Sequence, residues 1–257
     1  SWVTGLNDAL ASLSVNISEQ AARGAPRKVL IHLDKMKDAL RVLAREEHHN
    51  IIVTGDVGSG KETFIRNIAR HLRDFEVKKG KAYTNILELK AEDLLSGARD
   101  PDTFLLTALK RANKQGTFIL VIRNIGLFLT AGDSKVRNVL GRFLEAKNIS
   151  VIGVCDTKDY HTLIKTDPTL DAQFETLELE PTSFADTMTV LMEEYFRVDD
   201  KQGMRVSYKA LRSIIDLADR YVPKGAFPGK AIDLLYDTVA HAKERKDTYV
   251  TQEDVQA

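Results

Sequence analysis

The hydrophobic pattern of this chain alternates between two periods and then settles on one. Short apolar runs rich in β-branched residues recur at Asn50–Thr54 (NIIVT), Asn85–Leu89 (NILEL), Phe118–Ile122 (FILVI) and Val151–Cys155 (VIGVC). Runs with little polar alternation suit strands of a parallel sheet covered on both faces. Between them the apolar residues return at helical spacing: Phe64, Ile65, Ile68, Ala69 and Leu72 within Glu62–Leu72, with similar patterns over Asp102–Arg111 and Val136–Leu144. This alternation predicts βαβ units and an α/β fold with a doubly wound parallel sheet. Ahead of the first strand, within Leu6–Leu43, Leu33, Met36, Leu40 and Leu43 mark one face of an amphipathic helix. After Leu177–Leu179 and Pro181 the strand signals stop, and helices are predicted over Ser183–Tyr195, Ser207–Tyr221 and Gly229–Lys246. The expected organisation is a large α/β part over residues 1–180, with 1–27 as a leading segment, and a small helical part over residues 181–257.

Composition narrows the function classes. The 257 residues are 43% hydrophobic and 29% charged, and no apolar run approaches the roughly 18 residues that span a bilayer. Lys+Arg and Asp+Glu both number 37, so bulk charge supplies no attraction to nucleic acid or anionic lipid. Neither a nucleic-acid partner nor a membrane contact is expected. The single cysteine, Cys155, excludes an internal disulfide and reads as a structural thiol at the end of a buried strand. A cytoplasmic location fits that usage. Ser1-Trp2-Val3 is neither an initiator methionine nor a signal sequence, so the natural protein is expected to be longer. His48-His49 lack neighbours at metal spacing and read as exposed loop histidines, and no metal site is expected. Tyr195, Phe196, Tyr208, Tyr221 and Tyr236 read as packing residues of the helical part.

The chemistry concentrates directly after the first apolar strand. Gly55-Asp56-Val57-Gly58-Ser59-Gly60-Lys61-Glu62-Thr63 fits G-x-x-x-x-G-K and departs at the next position. Glycines let the backbone wrap a phosphate with its N–H groups, the following helix offers its positive end, and Lys61 can reach terminal phosphates. The residue after the lysine should carry a hydroxyl for the nucleotide's magnesium, but it is Glu62. Thr63 is one position late and points about 100° away on a helix. ATP or ADP is the expected ligand, with magnesium in doubt.

From here the order of motifs resembles the first ATPase module of the Clp AAA+ unfoldases, over roughly Lys28–Val255. Val29-Leu30-Ile31-His32 is similar to an adenine-side element, and Ile119–Gly132 (ILVIRNIGLFLTAG) to the Walker B strand and loop. Val151–Tyr160 (VIGVCDTKDY) resembles V-I-G-A-T-T-x-[DE]-[DE]-Y, Pro168–Phe174 (PTLDAQF) resembles P-A-L-E-R-R-F, and Phe227–Leu234 (FPGKAIDL) resembles L-P-D-K-A-I-D-L. The resemblance implies a P-loop AAA+ fold with a small helical subdomain, in which Val29, Leu30 and Ile232 contact adenine. It implies as partners other AAA+ subunits, a following ATPase module and protein substrates.

The departures from that pattern fall on hydrolysis. Where the family has the Asp-Glu that orients magnesium and polarises water, this chain has Arg123 and Asn124. The sensor threonine is matched by Asp156, and the arginine-finger pair by Ala172 and Gln173. A well-placed general base contributes about 100- to 10,000-fold and an arginine finger about 1,000- to 100,000-fold, so turnover is expected to be absent or very weak. The pore-loop aromatic expected after Gly97-Ala98 is replaced by Arg99 and Asp100. Arg123 either pairs with a phosphate in place of magnesium or forms an ion pair with Glu62 or Asp156, and the ion pair is favoured because it needs no ligand. Three readings remain open, in this order: a nucleotide-binding pseudo-ATPase with a regulatory or assembly role, a nucleotide-free scaffold, and an active unfoldase or chaperone module with replaced catalytic residues.

Overall fold

The structure is a computed structural model, and it describes residues 14–17, 31–78, 85–90, 92, 118–131 and 134–256. These fall into two compact units. The first takes the described residues within Ser1–Ala25, His32–Thr54 and Glu62–Glu178; the second takes Ile31, Gly55–Lys61 and those within Leu179–Ala257.

The first unit is built on a six-stranded sheet. In chain order its strands are β1 (Ser14–Asn16), β2 (Ile51–Thr54), β3 (Asn85–Lys90), β4 (Phe118–Arg123), β5 (Ile149–Cys155) and β6 (Glu175–Glu178). Their spatial order is β1-β3-β4-β5-β2-β6, with β1 antiparallel to β3 and all other neighbours parallel. Ile51, Ile52, Val53, Val121, Ile149 and Val151 are wholly buried, as expected for strands without a solvent face. Parallel register brings Thr54 beside Cys155 and Glu178, and Arg123 beside Val154. The carboxyl ends of these strands therefore share one edge, where open α/β sheets hold their ligands.

Three elements depart from the expectations above. The antiparallel edge strand β1 and the helix Ile125–Ala131 add to the predicted set. The helix α1 (Leu33–Leu43) buries Met36, Ala39 and Val42, while Leu33 stays 43% exposed, so the packed stripe lies to one side of the predicted one. The predicted helix over Asp102–Arg111 lies outside the described residues. The other long helices of this unit are α2 (Lys61–Lys78), α3 (Ile125–Ala131) and α4 (Ser134–Leu144), with short helical segments at Thr157–Asp159, Tyr160–Ile164 and Pro168–Asp171. Phe64, Ile65, Ile68 and Ala69 of α2 are buried, and so are Val139, Leu140, Phe143 and Leu144 of α4. Cys155 lies buried in the same core as Phe128, Phe143 and Tyr160. His49 is buried and not exposed: it is 6% accessible, Nδ1 has no hydrogen-bond partner among the described residues, and desolvation holds its pKa below the usual value.

The second unit is helical, with α5 (Phe184–Gln202), α6 (Tyr208–Tyr221), α7 (Gly229–Glu244) and α8 (Gln252–Gln256). Ser183 Oγ accepts from the N–H of Asp186 and Ser207 Oγ from that of Ala210, each at 3.1 Å, which satisfies helix N-termini that would otherwise end on orphan donors. Leu191, Ile214, Leu235 and Val239 pack in its core. Two-residue strands β7 (Arg205–Val206) and β8 (Tyr249–Val250), absent from the all-helical expectation, pair in parallel within this unit. Tyr208 and Tyr221 are 60% and 72% exposed, and Phe196 and Tyr236 are exposed as well, so of the five aromatics expected to pack only Tyr195 lies against this core.

Asn50 holds the entry to β2. Its side-chain amide donates to Leu144 O at 2.9 Å and its carbonyl oxygen accepts from the Val151 N–H at 2.9 Å, both buried. Asn50→Ala is expected to lower stability by about 1–3 kcal/mol by leaving those two backbone groups unpaired. Chemical denaturation checks this; a loss below about 0.5 kcal/mol would mean that water replaces the amide.

Candidate functional site

The phosphate-loop sequence Gly55–Lys61 follows β2 and leads into α2. It is compact because its glycines permit what other residues do not. Gly58 has φ +90°, and a Cβ there would lie 2.7 Å from Ala226 O. Gly55 and Gly60 also have positive φ, at +154° and +92°, in the region that L side chains avoid. Ser59 N–H donates to Asp56 O at 3.1 Å and closes the turn. The Lys61 ammonium donates to Gly55 O and Asp56 O, at 2.5 and 3.0 Å, within the loop itself. Ser59 is buried, whereas Asp56 and Val57 face solvent.

Further contacts come from the same unit. Ala226 N–H donates to Val57 O at 2.7 Å, and Gly229 N–H donates to Gly58 O at 3.0 Å. Ile31 and Val190 are buried together with Ile232 packed against them, and Ile31 Cδ1 lies 3.3 Å from where a Cβ on Gly60 would stand. Of the proposed adenine contacts, Ile232 is thus next to an apolar pair beside the loop, and Val29 and Leu30 lie outside the described residues. Val190 carries no sequence signal beyond being one apolar position of α5.

The residues expected at the hydrolytic centre form a different arrangement, in the first unit. Arg123, the last residue of β4, donates from Nε to Glu88 on β3 and lies with its NH2 group 3.1 Å from Glu62 Oε1. Glu62 also pairs with Arg66, one helical turn on. Burial opposes ionisation of Glu62, but the Arg123 hydrogen bond and charge, with Arg66 behind them, outweigh it and hold the carboxyl below the usual glutamate range. Burial likewise opposes the charge on Arg123, and the two carboxylates overcome it and raise its pKa. Of the two ion pairs expected for Arg123, the structure contains the one with Glu62.

Glu88 is the partner that sequence reasoning missed. It is 6% accessible on a strand between β1 and β4, and a buried carboxylate needs a compensating charge. Asn124 has φ +52° and donates from its amide to Glu92 at 2.6 Å. Asp156 follows β5 in an extended conformation, and its carbonyl accepts from Tyr160 N–H at 3.0 Å. Ala172 and Gln173 form the turn between Pro168–Asp171 and β6, their N–H groups donating to Pro168 O and Leu170 O, each at 3.1 Å. The predicted pore-loop residues Gly97–Asp100 lie outside the described residues. Thr63 is half-buried in the first turn of α2.

The donor set does not fit magnesium. Glu62 and Glu88, the carboxylates that meet Arg123, both face a guanidinium that cannot lose its proton, and a hard dication needs free oxygen ligands in near-octahedral array. Among the described residues, no group of three or more His, Cys, Asp or Glu side chains is placed to hold a metal ion.

Comparison with known proteins gives a consistent picture. Residues 183–257 match the AAA lid domain family. The chain is 25% identical over 255 residues to the chaperone protein ClpB of Staphylococcus aureus (strain COL), covering 96% of this chain and 29% of that protein. It is 25% identical over 250 residues to heat shock protein 104 of Schizosaccharomyces pombe, covering 94% and 28%. The chain therefore spans under a third of the length of these relatives. Among solved structures it is similar to the S. cerevisiae Hsp104–ADP complex, with a TM-score of 0.85 and 24% identity over 96% of this chain and 44% of that one. A closed-state reconstruction of Hsp104 with ATPγS and FITC casein gives a TM-score of 0.83 at 22% identity, with the same coverage.

Arg123→Ala would strand Glu88 in the sheet. The expected loss of stability at neutral pH is about 1–3 kcal/mol, set below a fully buried pair because Arg123 and Glu62 are 28% and 48% exposed. The Glu62 carboxyl is depressed in the folded state, so its share of that loss is present above the unfolded glutamate pKa and disappears as pH falls through the folded one. Urea titrations of both proteins from pH 7 to pH 3 check this; a difference that does not shrink on acidification would assign the effect to packing alone.

Proposed function

We infer, from the premise that this chain is an AAA+ module of the Clp type, that it binds ATP or ADP at Gly55–Lys61 and turns it over slowly or not at all. The observation that carries this reading is the Arg123 clamp. Glu62 and Glu88 are occupied by a fixed cation, and neither Arg123 nor Asn124 can act as a carboxylate base. The loop, by contrast, keeps the glycine geometry that wraps phosphate. A glycine loop of this kind beside a position without a carboxylate base supports the reading of a module that responds to nucleotide occupancy and leaves catalysis to others.

In this reading the loop backbone and Lys61 hold the phosphates, and Ile232 with Ile31 and Val190 supplies apolar surface for the base. Asp156, at the sensor position, adds a negative charge and lowers the preference for a terminal phosphate. The output is regulatory or assembly-related: binding biases association with other AAA+ subunits or a following ATPase module of a larger, cytoplasmic chaperone-type protein that acts on protein substrates. Among the described residues no helix is long and apolar enough to cross a membrane.

One observation favours the nucleotide-free scaffold instead. The Lys61 ammonium is directed at Gly55 O and Asp56 O, and these bonds must be exchanged for bonds to phosphate on binding.

Calorimetric titration with ATP and ADP, with and without magnesium, distinguishes the readings. Saturable binding that is insensitive to magnesium and lost in Lys61→Ala is expected, together with phosphate release near background. Steady hydrolysis abolished by Lys61→Ala would overturn the pseudo-ATPase reading, and no heat at millimolar nucleotide would favour the scaffold.

A further inference from the structure

We propose that Gly229, the first residue of α7, is a positioning residue for the phosphate loop, holding it through a backbone-to-backbone latch that a side chain at 229 would break.

The latch consists of two hydrogen bonds and one close approach. Ala226 N–H binds Val57 O at 2.7 Å and Gly229 N–H binds Gly58 O at 3.0 Å. In a trans peptide the C=O and the next N–H point in opposite directions. Drawing the carbonyls of Val57 and Gly58 towards the start of α7 therefore turns the following N–H groups away from it. Gly58 N–H is aimed to the opposite side, and Ser59 N–H is taken by Asp56 O. Orientation of successive peptide planes determines whether such a loop is a nest for an anion, and here the orientation is imposed from α7.

The two glycines are what permit the bonds. A Cβ on Gly229 would stand 2.5 Å from Gly58 Cα and 3.1 Å from Gly58 O, distances at which backbone must move. A Cβ on Gly58 would meet Ala226 O at 2.7 Å and Gly229 Cα at 3.3 Å. Gly229 begins a helix and lacks the positive φ of Gly58, so alanine suits its conformation and the contact with Gly58 is the obstacle. The α7 segment is itself firmly held: Lys230 N–H donates to Ala226 O at 3.2 Å, Ile232 N–H to Pro228 O at 3.1 Å, and Phe227 O accepts from Thr182 N–H at 3.2 Å. Loop and segment belong to the same compact unit. A displaced residue 229 therefore moves the loop.

The role in affinity rests on the reading of the loop as a nucleotide site; the latch does not. Residue-resolved hydrogen exchange of the nucleotide-free chain tests the latch first. The Ala226 and Gly229 amides of the wild type are expected to be protected, and exchange at the rate of an unstructured peptide would overturn the proposal without any variant. In Gly229→Ala, exchange at residues 226–229 and 57–60 should rise about tenfold or more while the amides of β4 and β5 are unchanged, a local opening and not global destabilisation. The same variant should bind ADP about tenfold more weakly through lost preorganisation, and Asp237→Ala, exposed on the same helix, should bind as the wild type does. Unchanged exchange and affinity in Gly229→Ala would overturn the latch. A wild type with both amides protected that binds neither ATP nor ADP would sink the proposed function and the affinity role together; a wild type that binds nucleotide with both amides unprotected would sink the latch alone.

Discussion

A backbone N–H or C=O removed from water must find a partner, and in this chain that requirement decides where chemistry is located. Strands β2, β4 and β5 are covered on both sides, so their peptide groups are spent on the parallel ladder and their side chains are almost all apolar. Polar function is then excluded from the body of the sheet and collects at strand ends, where the ladder stops. Arg123, Asn124, Asp156 and the glycines after Thr54 all occupy such ends. The charged exception among the described strands is Glu88, buried within β3, and it is tolerated because a guanidinium from the neighbouring strand reaches it.

The same requirement acts in the helical unit with different means. Its helix starts are satisfied by Ser183, Ser207 and Asp254, whose carboxylate accepts from Thr251 N–H at 2.7 Å. The start of α7 has no side-chain cap. Its leading amide is satisfied by Gly58 O of the Gly55–Lys61 loop, so a helix terminus and a glycine loop each complete the other. Covering an orphan donor with a loop carbonyl ties the order of one to the order of the other.

Much of the architecture was legible in the sequence because its signals are local. Continuous apolar runs located β2 to β5, the helical pattern after Pro181 located α5 and α6, and glycine spacing located the loop. Elements whose reason for existing is not local were harder to see. The three-residue β1 has no apolar run and exists because β3 offers it an edge. Ile125–Ala131 continues an apolar stretch already assigned to a strand and loop, and periodicity alone cannot separate a buried helix from a buried strand over so few residues. At the centre of the first unit, Arg123 was conspicuous as a departure from the resemblance, but Glu88, 35 residues earlier in the chain, is its partner only through the pairing of β3 with β4. Leu33 stands exposed where Met36, Ala39 and Val42 pack, since apolar character marks a face only to within about one residue step on a helix that starts there.

The Arg123 clamp also shapes the routes by which the sequence can change. Replacing the arginine by aspartate would bring a third carboxylate towards Glu62 and Glu88, with Arg66 on Glu62 as the one remaining counter-charge described and Glu88 enclosed by the sheet. Like charges so arranged repel strongly at low dielectric. A metal-binding corner at this place therefore needs Glu62 exchanged for a hydroxyl residue, and Glu88 neutralised, along with Arg123. A single exchange at position 123 thus turns paired charges into unpaired ones, and the three side chains are coupled in what each can become.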